Sequence, residues 1–163
     1  MSQRPSPQHQ PLLQTLQLAL NCHQQGQLAQ AEVLYGQVLQ GLPTHPDALH
    51  YFGVLCLQTQ RVDQGIALIQ RSLAANPKQP SPYVNLGNAL VMTGQLTQAL
   101  ATYDTAIRLL PAYAEAHSNR AHVLLSLSRP QEALLSADRA LKLDPKMLEA
   151  HLIKGLALNA LKR

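Results

Sequence analysis

Between Pro80 and Leu109 the apolar residues fall on helical spacing twice. Tyr83, Leu86 and Leu90 repeat at i, i+3 and i+7, and Leu100, Tyr103 and Ile107 do so again after a break at Thr93-Gly94-Gln95. That spacing puts each set on one face of a helix, and the glycine in the break marks a turn. Pro80 can open the first helix, because a first-turn proline loses no helical hydrogen bond. Pro111 closes the second, because proline clashes with the turn before it. Residues 80–113 therefore predict two helices, each with one apolar stripe.

The pattern recurs along the chain. Pro43, Pro77, Pro111 and Pro145 are each separated from the next by 34 residues, and SLAANP, AIRLLP and ALKLDP end on the last three. On this period the chain holds full repeats at 12–45, 46–79, 80–113 and 114–147 and a partial one at 148–163, with a flexible tail expected over 1–11. The eighth position carries Ala19, Gly53, Gly87, Ala121 and Gly155, and the twentieth Ala31, Gly65, Ala99 and Ala133. Both columns hold only small residues, so they should mark where the two helices of a repeat cross. In the fourth repeat Pro130 falls where the second helix should start. Nine helices and an all-α class follow.

These columns resemble the tetratricopeptide repeat: a period of 34, a small residue at the eighth position, Ala at the twentieth, an aromatic at the twenty-fourth (Tyr35, Tyr103) and Pro at the thirty-second. The resemblance covers 12–163. It departs at the fourth position, where Thr15, Leu49, Tyr83 and His117 replace the Trp type, and at Arg120, which replaces the usual Leu and should weaken a packing contact. The resemblance implies a right-handed superhelical solenoid of antiparallel helix pairs, each packed only on its neighbours. It also implies that the first helices line a groove that binds a protein or an extended peptide.

By the same resemblance, the groove positions are the second, fifth, sixth, ninth, twelfth and thirteenth of each repeat. The sixth gives Gln17, Tyr51, Asn85, Asn119 and Ile153, and the ninth gives Leu20, Val54, Asn88, His122 and Leu156. A polar patch follows in repeats three and four: Asn85, Asn88, Ser118, Asn119 and His122, with Glu115 near its rim and Tyr51 in repeat two. Asn offers both donors and an acceptor, which suits the backbone of an extended segment. The alternative is that these amides are solvated or bond a neighbouring helix. Glu115 and Asn119 stand where arrays that hold acidic chaperone tails carry Lys and Arg. His50 and Val54 stand where those arrays carry Lys and Asn. An acidic-tail partner is therefore not expected.

Residues 83–111 also resemble the repeats that precede the catalytic domain of O-linked N-acetylglucosamine transferases, which carry an Asn ladder at the sixth position. Here two of five rungs are Asn. A substrate-presenting arm of such a glycosyltransferase is the second reading of function; the first is a non-catalytic binding scaffold.

Composition narrows the rest. Apolar residues are 46% of 163, charged residues 13%, and the net charge is +4 with His neutral. The basic residues are scattered rather than blocked, so a phosphate-backbone binder is not expected. No apolar run reaches membrane-spanning length and no secretory leader is visible, so a cytoplasmic protein is the default. Cys22 and Cys56 share the eleventh position with Leu90, Leu124 and Leu158, and should fill apolar slots. The seven His form no HxxxH or HExxH pair, so neither metal nor cofactor is expected. Asp63, Asp104 and Asp138 should cap helices or face solvent. Gly155 and Leu158 occupy columns that another helix would cover. Two readings follow: more chain beyond Arg163, or self-association through the exposed C-terminal helix, the first being favoured.

Overall fold

A computed structural model describes residues 10–162. Among them stand nine α-helices and no strand: α1 (Gln10–Gln24), α2 (Leu28–Gly41), α3 (Pro46–Gln58), α4 (Val62–Ala75), α5 (Pro80–Met92), α6 (Leu96–Leu109), α7 (Ala114–Ser126), α8 (Pro130–Leu143) and α9 (Leu148–Leu161). Of the tail expected over 1–11, residues 1–9 lie outside the described set, and α1 opens at Gln10. The chain divides into two compact bodies between Pro77 and Lys78. The first holds α1–α4 and the second α5–α9.

The helix ends repeat with the period. Leu42, Asn76, Leu110 and Asp144 each precede a proline and leave the helical conformation, with φ of −131, −145, −138 and −134°. The ring of the following proline excludes the helical conformation there. Each of these residues still closes the last turn by donating its N–H to the carbonyl four residues back. Pro46, Pro80 and Pro130 sit in the first turns of their helices.

Inside each hairpin the chain reverses through one left-handed residue: Gly26 at φ 76°, Gln60 at 63°, Gly94 at 75° and Ser128 at 57°. A side chain in that region costs about 1 kcal/mol relative to glycine. Gln60→Gly and Ser128→Gly should each stabilise the fold by about 0.5 kcal/mol in urea unfolding, because glycine's freer unfolded chain offsets part of that relief.

In the first body, Leu16, Ala19, Cys22, Ala31, Tyr35, Val38, Ala48 and Leu55 form one buried cluster, and Leu49, Cys56 and Leu68 another. Both cysteines are buried and free, as their apolar column implies. Gly53 and Gly65 face each other where α3 crosses α4. A Cβ at Gly65 would lie 2.9 Å from the Gly53 carbonyl oxygen, and one at Gly53 would lie 3.0 Å from that of Gly65. Ser72, fully buried on α4, donates its hydroxyl to the Pro46 carbonyl at 2.8 Å.

In the second body, α5 pairs with α6, α7 with α8, and α9 packs on α7 and α8. Ala99, Tyr103, Ala106, Ala121, Ala133, Ala137, Ala140, Ala150 and Ala157 are buried at the crossings. Arg120 does more than displace a leucine. Its guanidinium donates to Asp104 on α6 at 2.6 Å and to the Ser136 hydroxyl on α8 at 2.5 Å. One period later Lys154 pairs with Asp138 at 2.7 Å. Asp104 and Asp138, expected to cap or face solvent, thus hold the next repeat's first helix. His117 is buried in the fourth-position column, and burial keeps its pKa below the usual imidazole value. Its neutral Nε2–H donates to the Pro111 carbonyl at 3.0 Å, and the His151 Nε2–H donates to the Pro145 carbonyl at 2.9 Å.

On α9, Leu148, Leu152, Leu156 and Leu158 are exposed, and a Cβ at Gly155 would meet nothing within 4 Å.

Candidate functional site

The second body carries a cleft of about 520 Å³ lined by Asn88, Glu115, Ser118, Asn119, His122, Glu149, Leu152 and Ile153. Five of these come from the polar patch read in the sequence, and α5, α7 and α9 bring them together. Residues of α7 one and two turns apart share a face, so Glu115, Ser118, Asn119 and His122 (i, i+3, i+4, i+7) point the same way. Glu149, Leu152 and Ile153 add the same register of the next repeat.

Hydrogen bonds fix the floor. Tyr103, buried on α6, donates its hydroxyl to Asn88 Oδ1 at 2.7 Å, and Asn119 Nδ2 donates to the same oxygen at 2.9 Å. The Asn88 carboxamide can therefore be oriented only one way, since its oxygen must meet both donors. Asn119 keeps its carbonyl oxygen and one N–H, and Asn88 keeps its N–H donors, outside these bonds. Burial pushes the Tyr103 phenol far above its ordinary pKa, so it stays a donor at any physiological pH.

Two other expected groove residues lie elsewhere. Asn85 is half-buried on α5 and does not line this cleft. Tyr51 belongs to the first body, where it lines a separate cleft of about 320 Å³ with Leu20, His23, Gln24, Val54 and Gln58. There His23 is braced as Asn88 is. Its Nε2–H donates to Gln58 Oε1 at 2.8 Å, and its Nδ1 accepts from Tyr35 Oη at 3.1 Å.

The fifth position is less open than expected. His50 is 5% exposed and Ser118 2% exposed, alongside buried Leu16 and Val84 in the same column. Those two apolar residues were the signal that this column points between helices. Burial lowers the His50 pKa to about 4, against a smaller opposing effect of Asp47. The folded chain thus keeps His50 neutral where the unfolded chain, with a pKa of about 6.5, takes up a proton. Stability present above pH ~6.5 is lost as pH falls toward 4, by up to about 3 kcal/mol. His50→Leu should reduce that slope, measured as the difference in urea unfolding between pH 7 and pH 4.5, and leave the smaller part that buried His117 contributes. An equal slope in the variant would place the proton uptake on another group.

Tetratricopeptide repeat family models match residues 23–86, 87–128 and 114–147, and together they run from residue 23 to 147. The chain belongs to the tetratricopeptide repeat family. Solved structures agree on the fold. The MamA protein superposes with a TM-score of 0.83 at 19% identity, over 93% of this chain and 82% of its own. A tetratricopeptide repeat protein from Parabacteroides merdae superposes at 0.81 and 17% identity, over 94% of this chain and 61% of its own. The first tetratricopeptide domain of Spaghetti (RPAP3), bound to the HSP90 peptide SRMEEVD, superposes at 0.72 and 23% identity, over 73% of this chain and 94% of its own. No curated protein matches the chain. Within the tetratricopeptide frame, the cleft is built from the first helices of repeats three, four and five.

Among the described residues, no group of three or more His, Cys, Asp or Glu is placed to hold a metal ion, and no helix is long and apolar enough to cross a membrane.

Proposed function

We propose that this chain is a protein-interaction scaffold that binds an extended peptide segment in the cleft of the second body. The observation that carries this reading is the Asn88–Asn119 pair, locked by Tyr103 and lining one cleft with Ser118 and His122. An extended backbone presents alternating N–H and C=O groups that must be met when buried. Two carboxamides held in fixed orientation offer donors and an acceptor without losing side-chain freedom on binding. Helical repeat arrays use such faces to hold partners. The peptide complex of the Spaghetti domain is an instance on the same fold. The acidic peptide of that complex does not suit this cleft, whose rim carries Glu115 and Glu149.

A partner recovered by pull-down with the full chain should lose about tenfold in affinity to the Asn88→Ala/Asn119→Ala double variant. Titration calorimetry, with circular dichroism to verify the helices, checks it. Unchanged affinity would remove both residues from the site.

A further inference from the structure

We propose that the cleft seats a cationic side chain, lysine or arginine, of the bound segment, with its charged head between Glu115 and Glu149. This deepens the peptide-binding reading above and rests on it. Four other carboxylates in the described residues meet a cation: Glu32 pairs with Arg61, Asp104 with Arg120, Glu132 with Arg129, and Asp138 with Lys154. Among the described residues no Lys or Arg lines the cleft that Glu115 and Glu149 share. The chain as a whole carries +4, whereas the cleft is lined by two carboxylates and no Lys or Arg. Two carboxylates lining one cleft give it a field that favours a cation and opposes an acidic segment.

A second, independent feature points the same way. Ser118 is 98% buried by its 2% exposure, yet it lines the cleft. Its hydroxyl bonds no other described residue, and since no fully buried side-chain oxygen among them lacks a partner, that hydroxyl is open to the cleft. A hydroxyl has lone pairs to accept from an ammonium or guanidinium. Leu152, 65% exposed on α9, supplies an apolar wall, and the methylene stem of Lys or Arg packs on such a surface while its head stays polar. The cleft's volume of about 520 Å³ falls in the range of pockets that bury a ligand of this size.

The test is two-dimensional NMR of the full ¹⁵N-labelled chain, titrated with end-blocked tetra-arginine, tetra-glutamine and tetra-glutamate. Tetra-arginine should shift the amides of Ser118, Asn119 and Glu149, about fivefold more tightly than tetra-glutamine, with no shift from tetra-glutamate. The Glu115→Gln/Glu149→Gln variant should bring tetra-arginine down to the glutamine level and leave glutamine binding as it was. If tetra-glutamine matches tetra-arginine at these residues, the charge selectivity is wrong and the peptide cleft survives. If no peptide shifts them, both readings fall. If tetra-arginine shifts only residues outside the cleft, or binds the variant equally well, the proposal is overturned.

Discussion

Gly65→Val should unfold at markedly lower urea concentration, with a loss of about 3 kcal/mol or more. Valine is the sharper probe, but alanine is the more instructive one. Ala stands at this column in three of the four full repeats, as Ala31, Ala99 and Ala133, and it favours a helix over Gly by about 1 kcal/mol. Propensity and family pattern both predict that Gly65→Ala stabilises. The crossing predicts the reverse. Repeat two alone has glycine in both small columns, and a Cβ at Gly65 would sit 2.6 Å from Leu57 Cδ2 and 2.9 Å from the Gly53 carbonyl. The leucine can rotate away, but the backbone oxygen cannot. A net loss of about 1 kcal/mol is expected for Gly65→Ala. A stabilised variant would mean that α3 and α4 separate without cost.

Tyr103→Ala should cost about 3–5 kcal/mol, the range for emptying a buried aromatic site. Tyr103 is 1% exposed, and its ring lies against Gly87, where an added Cβ would come within 2.5 Å of it. Tyr103→Phe separates the ring from the hydroxyl. It keeps the packing and removes one of the two donors to Asn88 Oδ1, for about 1 kcal/mol. The carboxamide loses its anchor, so Tyr103→Phe should also weaken partner binding several-fold while the helices remain. Stability is read by urea unfolding and affinity by calorimetry. A phenylalanine variant with unchanged affinity would show that Asn88 needs no brace.

The helical frame is written plainly in the chain. Prolines one period apart end α2, α4, α6 and α8, and Gly26 and Gly94 turn the first and third hairpins because only backbone conformation is at stake there. Gln60 and Ser128 hold the same left-handed turn without glycine, so that column is half hidden. Side-chain partnerships were harder to read, because they depend on which helix lies opposite. The polar patch was visible at the sixth and ninth positions. That Asn88 spends its oxygen on Tyr103 and Asn119 was not. The repeat position alone puts His50 and Ser118 on an open face, although the apolar Leu16 and Val84 in their column signal burial. The pairs Asp104–Arg120 and Asp138–Lys154 had a signal in the sequence: the same 16-residue separation recurring 34 residues later. Glu149 holds the same second position as Glu115 one period later, which puts it on the cleft.

The most direct measurement places a photo-crosslinking benzoylphenylalanine at His122, on the cleft, or at Leu135, which is exposed on α8 beside a different depression. The same segment of a bound partner should crosslink from His122, should not crosslink from Leu135, and should be lost when Asn88 and Asn119 are both alanine. Crosslinking from Leu135 alone, or crosslinking from His122 that is indifferent to the two asparagines, would contradict the cleft as the binding site.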